Sequence, residues 1–179
     1  MVVQLYGPKV EAASIENIKA EAEQGNAHAA LELGLSYLSG SDVTQNYTEA
    51  ARWLQKASEK GLGTAQAFLG LCYENGNGVQ QDYTNAFSWY KKAADQGNAM
   101  AQFSLGHCYA ASLGVPQDDT RAADLFRMAA DQGFAPAQRC LGALYLSGNG
   151  VPKVNSEGIK WLLRAAKQNE AMAQAVLAT

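Results

Sequence analysis

Proline is scarce in this chain, at four of 179 residues, while alanine is abundant. That balance is what a mostly helical chain requires, because proline breaks helices and alanine favours them. No apolar run approaches the roughly 20 residues needed to span a membrane. The opening stretch, MVVQLYGPKVEAASIE, has no basic region followed by an apolar run, so it does not read as a signal peptide. The compartment stays open: cytoplasmic if residue 1 is the native start, periplasmic or secreted if a signal was removed. An excess of positive charge is also missing. Lysine and arginine number 14 against 17 aspartates and glutamates, giving a net charge of -3 and a pI near 5.4. A protein built to grip nucleic acid carries a basic surface, and this one does not.

Cysteine is limited to Cys72, Cys108 and Cys140. Cys72 and Cys108 stand 36 residues apart, which proves to be one repeat. Equivalent positions on stacked helices lie ~8–10 Å apart. A disulfide needs Cα atoms within about 7 Å. The three cysteines therefore read as free, small, buried hydrophobes. No Cys-x-x-Cys or Cys/His cluster suggests a metal.

What the chain does have is self-similarity. Gly34, Gly70, Gly106 and Gly142 are spaced by 36, and three residues after each comes Tyr37, Tyr73, Tyr109 and Tyr145. A fixed period in this range marks a repeat architecture. Four full repeats are expected at 25–60, 61–96, 97–132 and 133–168. Each reads as a pair of helices. In the second repeat, Ala65, Leu69, Gly70 and Tyr73 make one apolar face of a first helix over about 63–75. Gly76 and Gly78 break it. Asp82 starts the second helix as N-cap, with Asn46 and Asp118 in the same column. The second helix ends before Gly97, a column shared by Gly25, Gly61 and Gly133. Its large residues are Trp53, Trp89, Leu125 and Trp161, facing Ala50, Ala86, Ala122 and Gly158. Large against small at fixed positions gives close packing. Residues 1–24 are expected to form a leader and a degenerate capping helix. Residues 169–179 repeat only part of a first helix. They make a cap, or continue into a longer array, or are covered by another molecule.

The repeated combination A-x-A-x-x-x-L-G-x-x-Y, then G-x-G-V, then an acidic-aromatic segment with A-x-x-W-Y-x-x-A-A, seen here at Ala65 to Tyr73, Gly76 to Val79 and Asp82 to Ala94, resembles the Sel1-like repeat. Asp42 and Ser112 depart from it in the loop glycine columns, as does Asp119 where Tyr83 stands. The resemblance implies an all-α fold: a right-handed superhelical solenoid of antiparallel helix pairs. It also implies an adaptor or scaffold for protein complexes, often bacterial, without catalysis or a cofactor. Some bacterial members carry paired cysteines in each repeat and have been credited with binding β-lactams. This chain lacks that pairing.

Candidate chemistry is thin. Ser88 and Lys91 form one Ser-x-x-Lys match, the motif of penicillin-recognising enzymes. Its column elsewhere holds Arg52, Asp124 and Lys160, as a solvated face would. A hydrolase or binder of β-lactam or cell-wall-like ligands is thus an alternative, as is a structural spacer within a longer array. His28 and His107 are the only histidines, and no Cys-x-x-Cys accompanies them. No GxxxxGK[ST] motif is present, and the Gly-Asn-Gly turns at 76–78 and 148–150 recur as structure. Lys91, Lys92, Arg127, Arg164 and Lys167 recur late in second helices, where the helix dipole favours cations.

The family resemblance puts the first helix of each repeat on the concave face. Its outward columns vary while the packing columns do not. They give His28, Leu31, Leu35 and Leu38, then Thr64, Ala67, Leu71 and Glu74. The third repeat gives Met100, Phe103, His107 and Ala110, and the fourth Pro136, Arg139, Ala143 and Leu146. Apolar residues on an outward face mark an interaction surface. The expected partner is a protein segment, with self-association through the C-terminal half-repeat as a further expectation.

Overall fold

The computed structural model describes residues 12–168, with side chains from residue 15. Among these there are nine helices and no strand. They are α1 (Ala12–Glu23), α2 (Ala27–Ser39), α3 (Tyr47–Glu59), α4 (Gly63–Asn75), α5 (Tyr83–Asp95), α6 (Ala99–Ala111), α7 (Asp119–Asp131), α8 (Ala135–Ser147) and α9 (Asn155–Ala166). The N-terminal leader and the partial fifth repeat lie outside the described residues. The chain divides into two compact units, with the boundary inside α5 between Trp89 and Tyr90. In the first unit α2 packs on α1 and α3, and α3 on α4. In the second, α7 packs on α6 and α8, and α8 on α9.

One local design recurs. A first helix ends on a left-handed residue, Gly40, Gly76, Ser112 or Gly148. That residue's N–H closes onto the carbonyl four residues back. Ser112 (φ 58°) is the one non-glycine with positive φ among the described residues. The chain then crosses to the second helix. The N–H of Asn46, Asp82, Asp118 or Val154 donates to the carbonyl of Tyr37, Tyr73, Tyr109 or Tyr145, at 2.9–3.1 Å. The tyrosine column thus anchors the entry to each second helix through its backbone. Asn46 and Asp118 cap by accepting from N–H groups three residues on, and Asp82 accepts from Thr84 and Asn85. Val154 has no side chain to do this, so α9 starts uncapped.

The glycine column has a steric cause. A Cβ on Gly34 would sit 2.9 Å from Leu54 Cγ, on Gly106 2.9 Å from Phe126, and on Gly142 2.8 Å from Leu162. Real side chains do not approach that closely, so only glycine lets the second helix cross there. The residue seated on the glycine is thus one beyond the tryptophan column. This refines the expected packing: in α7 Phe126 is buried while Leu125 is half-buried. Gly158 faces Leu146 and the Gly142 carbonyl. Trp53 and Trp161 are buried in their own units. The Arg52 guanidinium and the Lys56 ammonium lie over the Trp53 ring, 4.4 and 4.2 Å from its centroid, as cation–π contacts.

A second column escaped the sequence reading. Gln66, Gln102 and Gln138 are buried, which is costly for an amide without partners. Gln66 donates to the Ser58 carbonyl and Gln138 to the Ala130 carbonyl, each at the end of the preceding second helix. Gln102 and Gln138 in turn accept from Gln132 and Gln168, thirty residues on. These amides satisfy carbonyls that a helix end leaves open. The signal was present as Gln at 66, 102 and 138, but a polar residue inside a first helix does not announce that it is buried.

Candidate binding surface

The first helices carry almost no charge. Across α2, α4, α6 and α8 the ionised side chains are Glu32, Glu74 and Arg139. The other described lysines and arginines lie on α1, on second helices or in loops. Second helices are amphipathic and solvated on one side, so they bear the ion pairs, such as Glu49–Arg52 and Glu157–Lys160.

In the first unit, Leu31, Leu35 and Leu38 are half-buried at spacings of four and three, so they share one side of α2. His28 and Glu32 are exposed on the same helix. On α4, Thr64, Leu71 and Glu74 are half-buried, but Ala67 is fully buried and cannot be part of an outward surface. In the second unit, Met100 and Ala110 are half-buried and His107 is exposed on α6. Phe103 is half-buried but engaged. Its ring lies 5.7 Å from Phe126 and 5.4 Å, edge-on, from Phe134, and it packs against the core that includes Leu141 and Trp161. On α8, Pro136 and Arg139 are half-buried and Ala143 is exposed. Leu146 packs against Leu162 and Gly158. Phe103 and Leu146 thus take part in packing, and Leu31, Leu35, Leu38 and Leu71 are half-buried like them.

Two open recesses occur in the first unit. One, of about 200 Å³, lies among Ala22, Asn26, Ala30, Lys56 and Lys60. The other, of about 420 Å³, lies among Tyr73, Val79, Gln80, Gln81, Asp82 and Asn85. Neither is lined by Leu31, Leu35, Leu38 or Leu71.

No cluster of three His, Cys, Asp or Glu side chains that could hold a metal is found among the described residues. The Ser88 hydroxyl donates to the Thr84 carbonyl one turn back, a bond typical of helix-surface serines. Burial pushes the Cys72 thiol up to about 11, away from the thiolate form that reacts. Backbone N–H of Asn85, with its side chain and the Thr84 N–H, holds the Asp82 carboxyl below its ordinary value, as expected of an N-cap. Arg52 does the same for Glu49. No described helix is long and apolar enough to cross a membrane.

Exposed apolar side chains also occur on second helices. Ile159 and Leu163 of α9 are 46% and 48% exposed, and Met128 of α7 is 50% exposed. Earlier in the chain the column of Ile159 holds the buried Ala51 and Ala123 and the half-buried Phe87.

Antiparallel helix pairs, a 36-residue period and glycine-seated crossings define an all-α repeat solenoid. The Sel1 repeat model matches residues 27–62, 63–98, 99–134 and 135–170, and the chain belongs to the Sel1 repeat family. Repeats of this kind generally serve as protein–protein interaction modules. The chain is similar to a Sel1 repeat protein from Oxalobacter formigenes, with 32% identity and a TM-score of 0.87 over 93% of this chain and 66% of that one. It is also similar to a protective antigen of uropathogenic Escherichia coli strains that displays an SLR fold. There the identity is 40% and the TM-score 0.83, over 89% of this chain and 34% of that one. A curated relative is the secretory immunoglobulin A-binding protein EsiB of Escherichia coli O6:H1, 40% identical over 50 residues. That match spans 28% of this chain and 10% of EsiB, so the relatives are considerably longer.

Proposed function

We propose that this chain is a non-catalytic adaptor or scaffold that holds a segment of another protein against the outward side of its first helices. The observation that carries this is the set of apolar, half-buried side chains Leu31, Leu35 and Leu38 on one side of α2 and Leu71 on α4. An apolar stripe suits a helix or extended chain laid along it, the mode in which helices dock into grooves. His28 and Glu74 supply polar contacts beside it. In the second unit Met100, His107 and Arg139 play the same part, with Phe103 and Leu146 shaping the surface from beneath.

The test is affinity capture from the source organism's lysate, with wild type and a folded Leu35→Asn/Leu71→Asn variant side by side. A protein held by the wild type and lost by the variant supports the reading. Equal capture by both moves the site away from these helices. No capture by either leaves the spacer reading in its place.

Self-association is a second reading, favoured by the exposed Ile159 and Leu163 on α9. An Ile159→Glu/Leu163→Glu variant should sediment as a smaller species than wild type at high concentration. A monomeric wild type contradicts self-association.

A further inference from the structure

Two columns of the second helices reverse their charge between the third and fourth repeats. On α7 they hold Asp124 and Asp131, and 36 residues later they hold Lys160 on α9 and Lys167 just after it. All four are exposed. Met128 stands between the aspartates, at spacings of four and three, and is 50% exposed. Leu163 stands between the lysines, 48% exposed, with the 46% exposed Ile159 one turn before it. The contacts these stretches make at home are local. Lys160 meets Glu157 at 3.3 Å, and Arg121, one turn before Asp124, meets Asp118 at 3.3 Å. The Arg164 guanidinium lies 4.5 Å from the Trp161 ring centroid. Among the described residues no ion pair joins Asp124 or Asp131 to Lys160 or Lys167.

We infer that α9 of one copy of this chain meets α7 of a second copy. This deepens the self-association reading given above and rests on it. Lys160 and Lys167 are seven residues apart, as are Asp124 and Asp131, a rise of about 10.5 Å along a helix in each case. Two helices laid side by side thus bring each lysine to an aspartate, with Leu163 and Ile159 against Met128. The apolar side chains supply contact and the charges supply the choice of partner. Pairing α9 with α9 sets lysine against lysine, and α7 with α7 sets aspartate against aspartate. The same three columns of α3 hold Arg52, Lys56 and Glu59, and those of α5 hold Ser88, Lys92 and Asp95, so neither offers a pair of carboxylates around an apolar residue.

The experiment is sedimentation velocity of the full chain over a concentration series, with circular dichroism to verify the fold of each variant. Asp124→Lys/Asp131→Lys alone, and Lys160→Asp/Lys167→Asp alone, should each raise the dissociation constant about tenfold, since each sets like charges together. Added salt should weaken the wild-type association. An equimolar mixture of the two variants should associate as the wild type does, because the lysines of one then meet the aspartates of the other. Glu16→Lys/Glu23→Lys makes the same change of net charge on α1 and should associate as the wild type does. If it dissociates like the α7 variant, overall charge is being read and the inference falls. A mixture as dissociated as its components overturns the pairing. If Ile159→Glu/Leu163→Glu abolishes association while Asp124→Lys/Asp131→Lys associates as tightly as wild type, α9 stands as the self-association surface and α7 is overturned as its counterpart. A monomeric wild type removes self-association and the inference with it.

Discussion

Leu31 and Phe103 occupy the same place on a first helix, two repeats apart, one in each unit. Their surroundings differ. Leu31 is half-buried beside Leu35 on a nearly uncharged helix, whereas the half-buried Phe103 meets Phe126 at a tilt and Phe134 edge-on. The larger residue reaches two aromatic rings, while both positions stay half-buried. The change is matched at the glycine seat, where the first unit places the flexible Leu54 on Gly34 and the second places the flat ring of Phe126 on Gly106. Variation between repeats is therefore not by itself a mark of binding. Part of it records which large residue the neighbouring helix supplies.

The largest expected effects test that difference. Phe103→Ala should cost about 2–3 kcal/mol in denaturant unfolding, since it empties an aromatic cluster, while Leu35→Ala should cost under about 1 kcal/mol. Equal costs would erase the distinction between the two units. Next comes the glycine seat. Gly106→Ala should destabilise by about 1–3 kcal/mol, because a ring cannot yield. Gly34→Ala should cost less, because Leu54 can change rotamer. The reverse order in thermal melts would show that backbone approach, not the seated side chain, governs the column.

Much of this was legible in the sequence, and the reasons are physical. Period, helix ends and caps follow from glycine, asparagine and aspartate at fixed offsets, so α4 was expected at its observed bounds, Gly63–Asn75. Packing direction was harder to read. Adjacent residues such as Leu125 and Phe126 point to different neighbours, and periodicity does not say which is seated on the glycine. Ala67 looked outward by column and is buried. Phe103 looked like a binding residue because nothing in its own helix reveals Phe134, which sits 31 positions later. The buried glutamines were invisible for the same reason.

Smaller effects concern the helix ends. Asn98→Ala removes an acceptor for the Ala101 N–H and should cost about 1 kcal/mol. The first helices of the second and fourth repeats start from Leu62 and Phe134 without a side-chain cap, so Leu62→Asn should be neutral or stabilising. The smallest effect is pH dependence. Asp82 and Glu49 are more acidic in the folded chain than in the unfolded one, so the unfolded state binds more protons as pH falls. Their stabilisation is present above the ordinary carboxylate range and is lost as pH drops through their lowered values, below about pH 4. Asp82→Asn keeps a cap and should flatten the acid limb of a stability–pH curve. An unchanged acid limb would remove Asp82 from that account.

The central claim is that the outward side of the first helices is the binding surface, with Leu31, Leu35, Leu38 and Leu71 as its apolar part in the first unit. Methyl-labelled leucine NMR of the full chain, titrated with the partner that affinity capture identifies, tests it most directly. The account predicts saturable shifts at Leu31, Leu35, Leu38 and Leu71, with Leu141 and Leu162 unmoved. Shifts confined to Leu146 and Leu163, with Leu35 and Leu71 silent, would contradict it.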